Sequence, residues 1–501
     1  MSDKQIKKIL IVGGGSAGWM TAAALSNALR GGCEIQLVES ASIGTIGVGE
    51  ATIPPIKLFN QSLGLEENEF VSKTMGSFKL GIQFVDWGKK GTRYFHPFGT
   101  YGVDFDAIPI HQHWLKAKKE KQVENLDDYC MAWAAAVRGK FHPPSRDHSK
   151  IQSTFDYAYH FDTGMYSRYL RQYAEARGVV RIEGKVVNTT LDTESGYIQS
   201  IKLEQGKSLE ADFFIDCSGF RGLLIEGALQ TGYENWTHWL PCDRAVTVGS
   251  EQAEDIIPYT RATAKTAGWQ WRIPLQHRTG NGHVYCSEHM SDDEATSVLL
   301  NDIDTKKTCD PFVLRFSTGR RKKFWNKNCV AIGLSAGFLE PLESTGLHLI
   351  QTAIRRLIAL FPESKNNGLA EQEFNRITIK EYETTRDFLI LHYKATQRDD
   401  SEFWNYVRNM QIPESLQYKM DHFQTSGRLV SDGVELFANP SWLAVYLGQH
   451  HWPQHYDPKL DLNPNKDALY NLQHLRELMA KVAASMPSHA EYINRFCKAV
   501  M

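Results

Sequence analysis

The sequence predicts an α/β fold: a parallel sheet opened by an N-terminal βαβ unit, an inserted β-sheet region, and a helical C-terminal region. Three observations carry this. Ile9 to Val12 is an unbroken apolar run of strand length, the kind buried on both faces of a parallel sheet. It passes through a glycine turn, Gly13 to Gly18, into an alanine-rich helix from Ala17 to Leu29 and then a second strand, Glu34 to Glu39. Beyond the helix that ends near Phe361, the pattern is mostly helical and rich in charge and tryptophan.

The elements between follow in order. Val179 to Cys217 alternates apolar and polar residues, with turn residues at Glu194-Ser195-Gly196. It reads as a β-ribbon leading into the buried strand Phe213-Phe214-Ile215 and the glycine at Gly219. Gly268 to His289 reads as a hairpin, WQWRIPLQH and HVYCSEH, around Asn281-Gly282. Cys329 to Ile332 is another apolar strand, ending at Gly333; a loop and a helix from about Gly346 to Phe361 follow. There is no internal repeat and no low-complexity segment. Sheet strands separated by long insertions imply a discontinuous first domain, 1–110 with 150–235 and 320–360. A second region takes 111–149 and 236–319 with 361–501.

Composition narrows the function. The chain has 501 residues, 42% apolar and 23% charged, with a net charge of −2 and no basic tract or acidic tail. That excludes the usual footprint of a nucleic-acid or anionic-membrane binder. No run approaches a membrane span, and Met1 to Lys8 lacks the apolar stretch of a signal peptide, so a cytoplasmic protein is expected. Cys33, Cys130, Cys217, Cys242, Cys286, Cys309, Cys329 and Cys497 are scattered without a C-x-x-C pair, which fits reduced thiols. The eighteen histidines form no H-E-x-x-H or cysteine-paired ligand pattern, so no metal is expected.

Gly13-Gly14-Gly15-Ser16-Ala17-Gly18 matches G-x-G-x-x-G between a strand and a helix. Glycine serves there for a tight turn, for backbone approach to a pyrophosphate, and for close helix packing. The helix N-terminus offers unpaired N–H groups to the phosphates. Glu39, at the tip of the second strand, suits a ribose without a 2′-phosphate. Together these predict a Rossmann-like dinucleotide domain without separating FAD from NAD.

The flanking residues resemble the flavin-dependent tryptophan halogenase family. They are GGGSAGWM with Trp19 and Met20, GVGEAT from Gly47 to Thr52, and FKLGIQFVDW from Phe78 to Trp87. W-x-W-x-I-P at Trp269, Trp271, Ile273 and Pro274 follows, then GLSAGFLEPLESTG from Gly333 to Gly346. The resemblance implies an FAD-binding fold of the aromatic-hydroxylase, glutathione-reductase-like type. It implies cofactor contacts from Gly13, Gly15, Ser16, Ala17, Gly18, Glu39, Glu50, Ala51, Gly333 and Leu334. It also implies FADH2 as cofactor and chloride or bromide with O2 as co-substrates, acting through a flavin hydroperoxide and hypohalous acid relayed to Lys79.

Each motif residue carries its own chemistry. Trp269 and Trp271 alternate on a strand, so both rings face one way, as a core pair or as a wall between flavin and substrate. Lys79 lies among Phe78, Leu80, Ile82 and Phe84; it either snorkels to the surface or, desolvated, becomes a more nucleophilic amine. The resemblance makes Lys79 the residue that receives or holds hypohalous acid. Ser344 or Thr345 reads as the N-cap of the following helix, and a helix start is also a halide site. By resemblance Thr345 and Gly346 bind halide, and Glu343, beside the lysine, is the catalytic carboxylate with Ser344 next to it. Glu340 is the competing acid.

His96-Pro97-Phe98 resembles the family's H-P-F segment, whose His and Phe pack around the substrate ring; a Pro-bounded surface loop is the plain alternative. SWLAVYLGQHHWP, Ser441 to Pro453, departs from the tryptophan-specific members; Trp442 is a candidate substrate contact beside Trp269 and Trp271, with a lid or core role the alternative for it and Trp452. The expected acceptor is therefore indole or a substituted indole as readily as tryptophan. One dinucleotide motif implies a separate NAD(P)H-dependent flavin reductase. A homodimer, a small aromatic substrate, and neither nucleic acid nor membrane complete the expected partners. A flavin aromatic monooxygenase is the nearest rival, and a catalytically inactive flavin-binding protein the next.

Overall fold

The computed structural model describes residues 5–41, 49–105, 107–120, 123–362, 368–431, 433, 435–462 and 467–499. The chain divides into two units, Met1–Thr74 with Phe161–Pro241 and Arg315–Glu383, and Met75–His160 with Cys242–Leu314 and Thr384–Met501.

The first unit is built on a six-stranded sheet. Its order is Trp325–Asn326, Cys329–Ala331, Phe213–Asp216, Lys8–Val12, Glu34–Glu39, Val180–Glu183. All neighbours are parallel except the first pair. Lys8–Val12 is central, with Ile9 opposite both Phe213 and Ile35. Ile9, Leu10 and Ile11 are wholly buried, which is why this strand shows no alternation. The helix Ser16–Leu29 follows it and buries Gly18 through Ser26. The expected ribbon is present as Val186–Leu191, Ile198–Leu203 and Ser208–Glu210. Its Glu194-Ser195-Gly196 turn is held by Asp192, which accepts from the Ser195 N–H and hydroxyl. The helix Gly346–Ala359 closes the series predicted for this unit.

The second unit carries a seven-stranded sheet, ordered Phe312–Arg315, Arg244–Glu251, Arg278–Tyr285, Gly268–Pro274, Thr260–Lys265, Gly81–Val85, Arg93–Pro97. Gly81–Val85 runs parallel to Thr260–Lys265, and each of these strands is antiparallel to its other neighbour, Arg93–Pro97 and Gly268–Pro274 respectively. Gly81–Val85 and Arg93–Pro97 thus pair within this sheet, although the sequence pattern grouped 1–110 with the nucleotide strands. Their partner strand lies far along the chain, beyond the reach of any local signal.

The hairpin Gly268–Pro274 with Arg278–Tyr285 forms, but Leu275-Gln276-His277 makes its turn. Asn281 and Gly282 sit inside the second strand, opposite Arg272 and Trp271. Packing explains the pair. A Cβ on Gly282 would lie 2.1 Å from Cζ2 of Trp271. Asn281 donates to the Ser250 hydroxyl at 3.0 Å.

Ser77–Lys79 forms a separate antiparallel pairing, Ser77 opposite His160 and Lys79 opposite Ala158. The C-terminal part is helical, including Glu402–Asn409, Glu414–Ser426, Asn439–Gly448, Ala468–Ala484 and His489–Phe496. All eight cysteines are free. Among the described residues no helix is long and apolar enough to cross a membrane.

Candidate active site

In the first unit the nucleotide loop uses its glycines for different ends. Gly13 has φ +115°, and a Cβ there would lie 2.2 Å from the Cys217 carbonyl oxygen. A Cβ on Gly18 would lie 1.8 Å from the Gly13 carbonyl oxygen. These two let the strand and helix meet. Gly15 is otherwise: a Cβ on it meets nothing within 4 Å. It is the N-cap of Ser16–Leu29, with no side-chain cap and no acid in the first turn. Free N–H donors and the positive dipole end therefore face open space, which fits a pyrophosphate.

Ser16 and Ala17 open that helix, and Gly333, at φ +82°, packs against it. A Cβ on Gly333 would be 2.7 Å from the Ala17 Cβ, so Gly333 and Leu334 lie beside the loop. Glu39 ends its strand over Gly14, receiving the Trp19 indole N–H at 3.2 Å and the Arg181 guanidinium. Arg171 stands 3.6 Å away. The acid is where a ribose acceptor is expected, but it is already paired; a carboxylate's remaining lone pairs leave room for a hydroxyl. Glu50 and the buried Ala51 form a short strand. Gly47 and Val48 of the GVGEAT motif lie outside the described residues.

The LEPLESTG segment, in the same unit, buries both acids: Glu340 and Glu343 are each 0% exposed. Ser344 takes the left-handed conformation, φ +59°, ψ +35°, which costs a residue with a Cβ about 1 kcal/mol or more. Thr345 occupies the N-cap position of Gly346–Ala359, yet makes no side-chain capping bond. The capping role expected of Ser344 or Thr345 is therefore not filled; Ser344 lies one residue too early and in a turned conformation. The Thr345 hydroxyl is buried without a hydrogen-bond partner among the described residues. A buried donor lacking an acceptor, beside an uncapped helix start, is a donor set that fits a halide.

In the second unit Lys79 is 0% exposed, so it does not snorkel. Its ammonium lies 5.1 Å from the centroid of the Phe98 ring. The strand on which it sits is pinned locally, since Leu80 donates to the Pro258 carbonyl and accepts from the Phe98 N–H. Phe78 stacks on Phe141, centroids 4.1 Å apart, with Tyr492 edge-on at 5.3 Å. His96 and Phe98 are buried, which rules out the surface-loop alternative; His96 faces Phe388 and Phe437 at 5.8 and 6.1 Å.

Trp269 and Trp271 lie side by side with ring centroids 6.0 Å apart, both buried. Neither indole N–H has a hydrogen-bond partner among the described residues. Each unpaired buried donor costs about 1–3 kcal/mol, so an ordinary core pair is a poor explanation and a ligand-facing wall a better one. Trp442 is a packing residue: it is buried, donates to the Phe437 carbonyl at 3.1 Å, and carries Lys419 over its ring at 4.5 Å. The structure also gathers Cys286, Glu288 and His289, their ligand atoms within 4.8 Å of one another, a grouping that matches none of the metal-ligand sequence patterns. It takes no part in the chemistry proposed below.

The tryptophan halogenase family model matches residues 8–465. Two solved structures cover nearly the whole chain. Xcc4156, a flavin-dependent halogenase from Xanthomonas campestris, is 42% identical, covers 99% of each chain and superposes with a TM-score of 0.96. BrvH, a flavin-dependent halogenase from Brevundimonas sp. BAL3, is 43% identical over 98% of this chain and 99% of its own, with a TM-score of 0.94. Tryptophan 6-halogenase SttH of Streptomyces toxytricini is 32% identical over 98% of both sequences.

Proposed function

The chain belongs to the tryptophan halogenase family, and on that premise we propose that it installs chlorine or bromine on an electron-rich aromatic ring such as indole, a substituted indole or tryptophan. The observation that carries the proposal is Lys79: a wholly buried amine beside the Phe98 ring, in a unit that also walls itself with two unpaired indoles. A hydroxylase has no use for such an amine.

Reduced FAD, when bound, supplies the two electrons and two protons that, with one further proton, turn O2 and halide into hypohalous acid and water. The open space at Gly15, with Ser16, Ala17 and Gly18 behind it, is our site for its pyrophosphate, and Glu39 for its ribose. Glu50, Ala51, Gly333 and Leu334 border the cofactor in this account. Thr345 and Gly346 hold the halide, and the pair Trp269 and Trp271 keeps water and flavin from the aromatic ring. Lys79 takes hypohalous acid either by a hydrogen bond or, as the free amine, by exchanging a proton for halogen with release of water. A ring π pair then bonds the halogen, whose former bonding pair departs with hydroxide, which leaves as water once protonated, or with the Lys79 amine, and Glu343 accepts the ring proton as the C–H pair returns to the ring. Ser344, between Glu343 and Thr345, holds the left-handed turn that joins them.

His96, Phe98, Phe388 and Phe437 offer an aromatic lining, while Trp442 is spent on packing. That supports a bare aromatic acceptor such as indole ahead of an amino acid. A separate NAD(P)H-dependent flavin reductase supplies the reduced cofactor. The test is Lys79→Ala, assayed with reductase, FAD, halide and indole. Halogenated product should vanish while FAD affinity stays within twofold (about 0.4 kcal/mol) of the parent. Retained product would overturn the role of the lysine.

A further inference from the structure

Two buried histidines, neither in any motif above, hold the strand that presents Lys79. His489 opens the last helix, His489–Phe496, whose start is fixed by a capping box between Ser488 and Glu491. Its ring lies between two backbone groups that admit one protonation state. Nδ1 is 2.7 Å from the Ile256 carbonyl, which only accepts, so Nδ1 carries the proton. Nε2 is 3.0 Å from the Phe78 N–H, which only donates, so Nε2 is bare. His489 is therefore a neutral imidazole spending its lone pair on the residue immediately before Lys79.

His160 faces the same strand from the other side of the pairing, opposite Ser77. The Ser77 hydroxyl donates to the Pro274 carbonyl at 2.6 Å, so its contact with His160 Nδ1 at 3.1 Å must be an N–H donated by the ring. Nε2 then accepts from the Thr260 hydroxyl at 2.9 Å. One serine thus ties the lysine strand to the residue that ends the Trp269–Trp271 strand. Burial, the nearby Lys79 charge and His489 all hold His160 well below the usual histidine range. Burial pushes His489 down to about 4. Both rings are accordingly 0–1% exposed and uncharged at neutral pH, and add no positive charge beside the amine.

We propose that His160 and His489 are positioning residues for Lys79, clamping its strand through the Ser77 hydroxyl and the Phe78 N–H as neutral Nδ1–H imidazoles. The inference rests on the halogenase assignment for its catalytic consequence but not for its structural content. A lysine that must meet a small reactive acid and a ring at once tolerates little displacement, and a shift of about 1 Å is worth up to about a hundredfold in rate. The clamp acts on transfer to the ring, after hypohalous acid has formed.

The test compares His489→Asn with His489→Gln in the full chain. Asparagine keeps a donor where Nδ1 stood, for Ile256, but loses the acceptor for Phe78; glutamine places an acceptor where Nε2 stood. Product formed per O2 consumed should fall about tenfold or more in His489→Asn, with free hypohalous acid rising in a trapping assay and the KM for indole little changed. His489→Gln should restore most of the coupling. Equal coupling in His489→Asn and the parent would overturn the clamp; absence of both halogenated product and trapped hypohalous acid from the parent and the variant alike would instead overturn the halogenase assignment. Nitrogen-15 histidine spectra of the unmodified protein give a readout independent of activity and of whether the variants fold. Both rings should show a protonated Nδ1 and a bare Nε2 without titration from pH 5.5 to 8, and a titration near neutrality or a protonated Nε2 would overturn the proposal.

Discussion

Replacing Gly15 and Gly18 separately by alanine should split cofactor binding from folding. The Cβ of Gly18→Ala would start 1.8 Å from the Gly13 carbonyl oxygen, well inside contact distance. The helix Ser16–Leu29 must move by more than 1 Å or the strand end must yield, at about 3 kcal/mol or more. Gly15→Ala meets nothing within 4 Å, and its φ of −76° is open to alanine. Alanine is a poorer N-cap than glycine by about 0.5 kcal/mol, and loses about as much unfolded-state entropy, so the fold should be nearly indifferent. Its methyl group, however, stands in the space assigned to the pyrophosphate. Losing two charge-assisted hydrogen bonds at about 1.5 kcal/mol each weakens FAD about a hundredfold. Flavin fluorescence titration and thermal melts of both variants measure the two effects. Normal FAD affinity in Gly15→Ala, or a melting point lowered as far as that of Gly18→Ala, would refute the reasoning.

Two further outcomes are expected. Thr345→Val removes a buried hydroxyl that has no partner among the described residues, so stability should hold or rise by up to about 1 kcal/mol. The halide concentration giving half-maximal product should rise several-fold, and an unchanged halide dependence would remove Thr345 from the site. Asp127, half-buried with its carboxylate turned inward to accept from the Phe95 N–H, is pushed up by desolvation to about 7. Its folded pKa lies above its unfolded value, so its contribution is fully present below about pH 4 and is lost as pH rises to about 7. Asp127→Asn should therefore gain on the parent by about 2 kcal/mol or more between pH 5 and pH 8 in urea unfolding; a pH-independent difference would contradict this.

What the sequence made legible were features whose cause is local. The nucleotide loop could be read because each glycine answers a constraint within a few residues, and the Lys8–Val12 strand because burial on both faces leaves an unbroken apolar run. Lys79 and Glu343 were legible through their motifs, and the structure buries both. Asn281-Gly282 misled because the pair has two physical uses. Here Gly282 makes room for an indole rather than for a turn. The sheet membership of Gly81–Val85 was illegible because its parallel partner is remote in sequence. His489 was illegible for the same reason: its bond to Phe78 spans 411 positions, although the S-x-x-E capping box that aims the helix is written plainly at Ser488 and Glu491.

The central claim is halogenation, and its most direct measurement is the mass of the product. The full chain would be incubated with FAD, a flavin reductase, NADH, oxygen and bromide, with indole and tryptophan in parallel, and the organic fraction analysed by mass spectrometry. The account predicts an indole product bearing the paired isotope peaks of bromine, formed only when halide is present. A hydroxylated product that forms equally well without halide would contradict it.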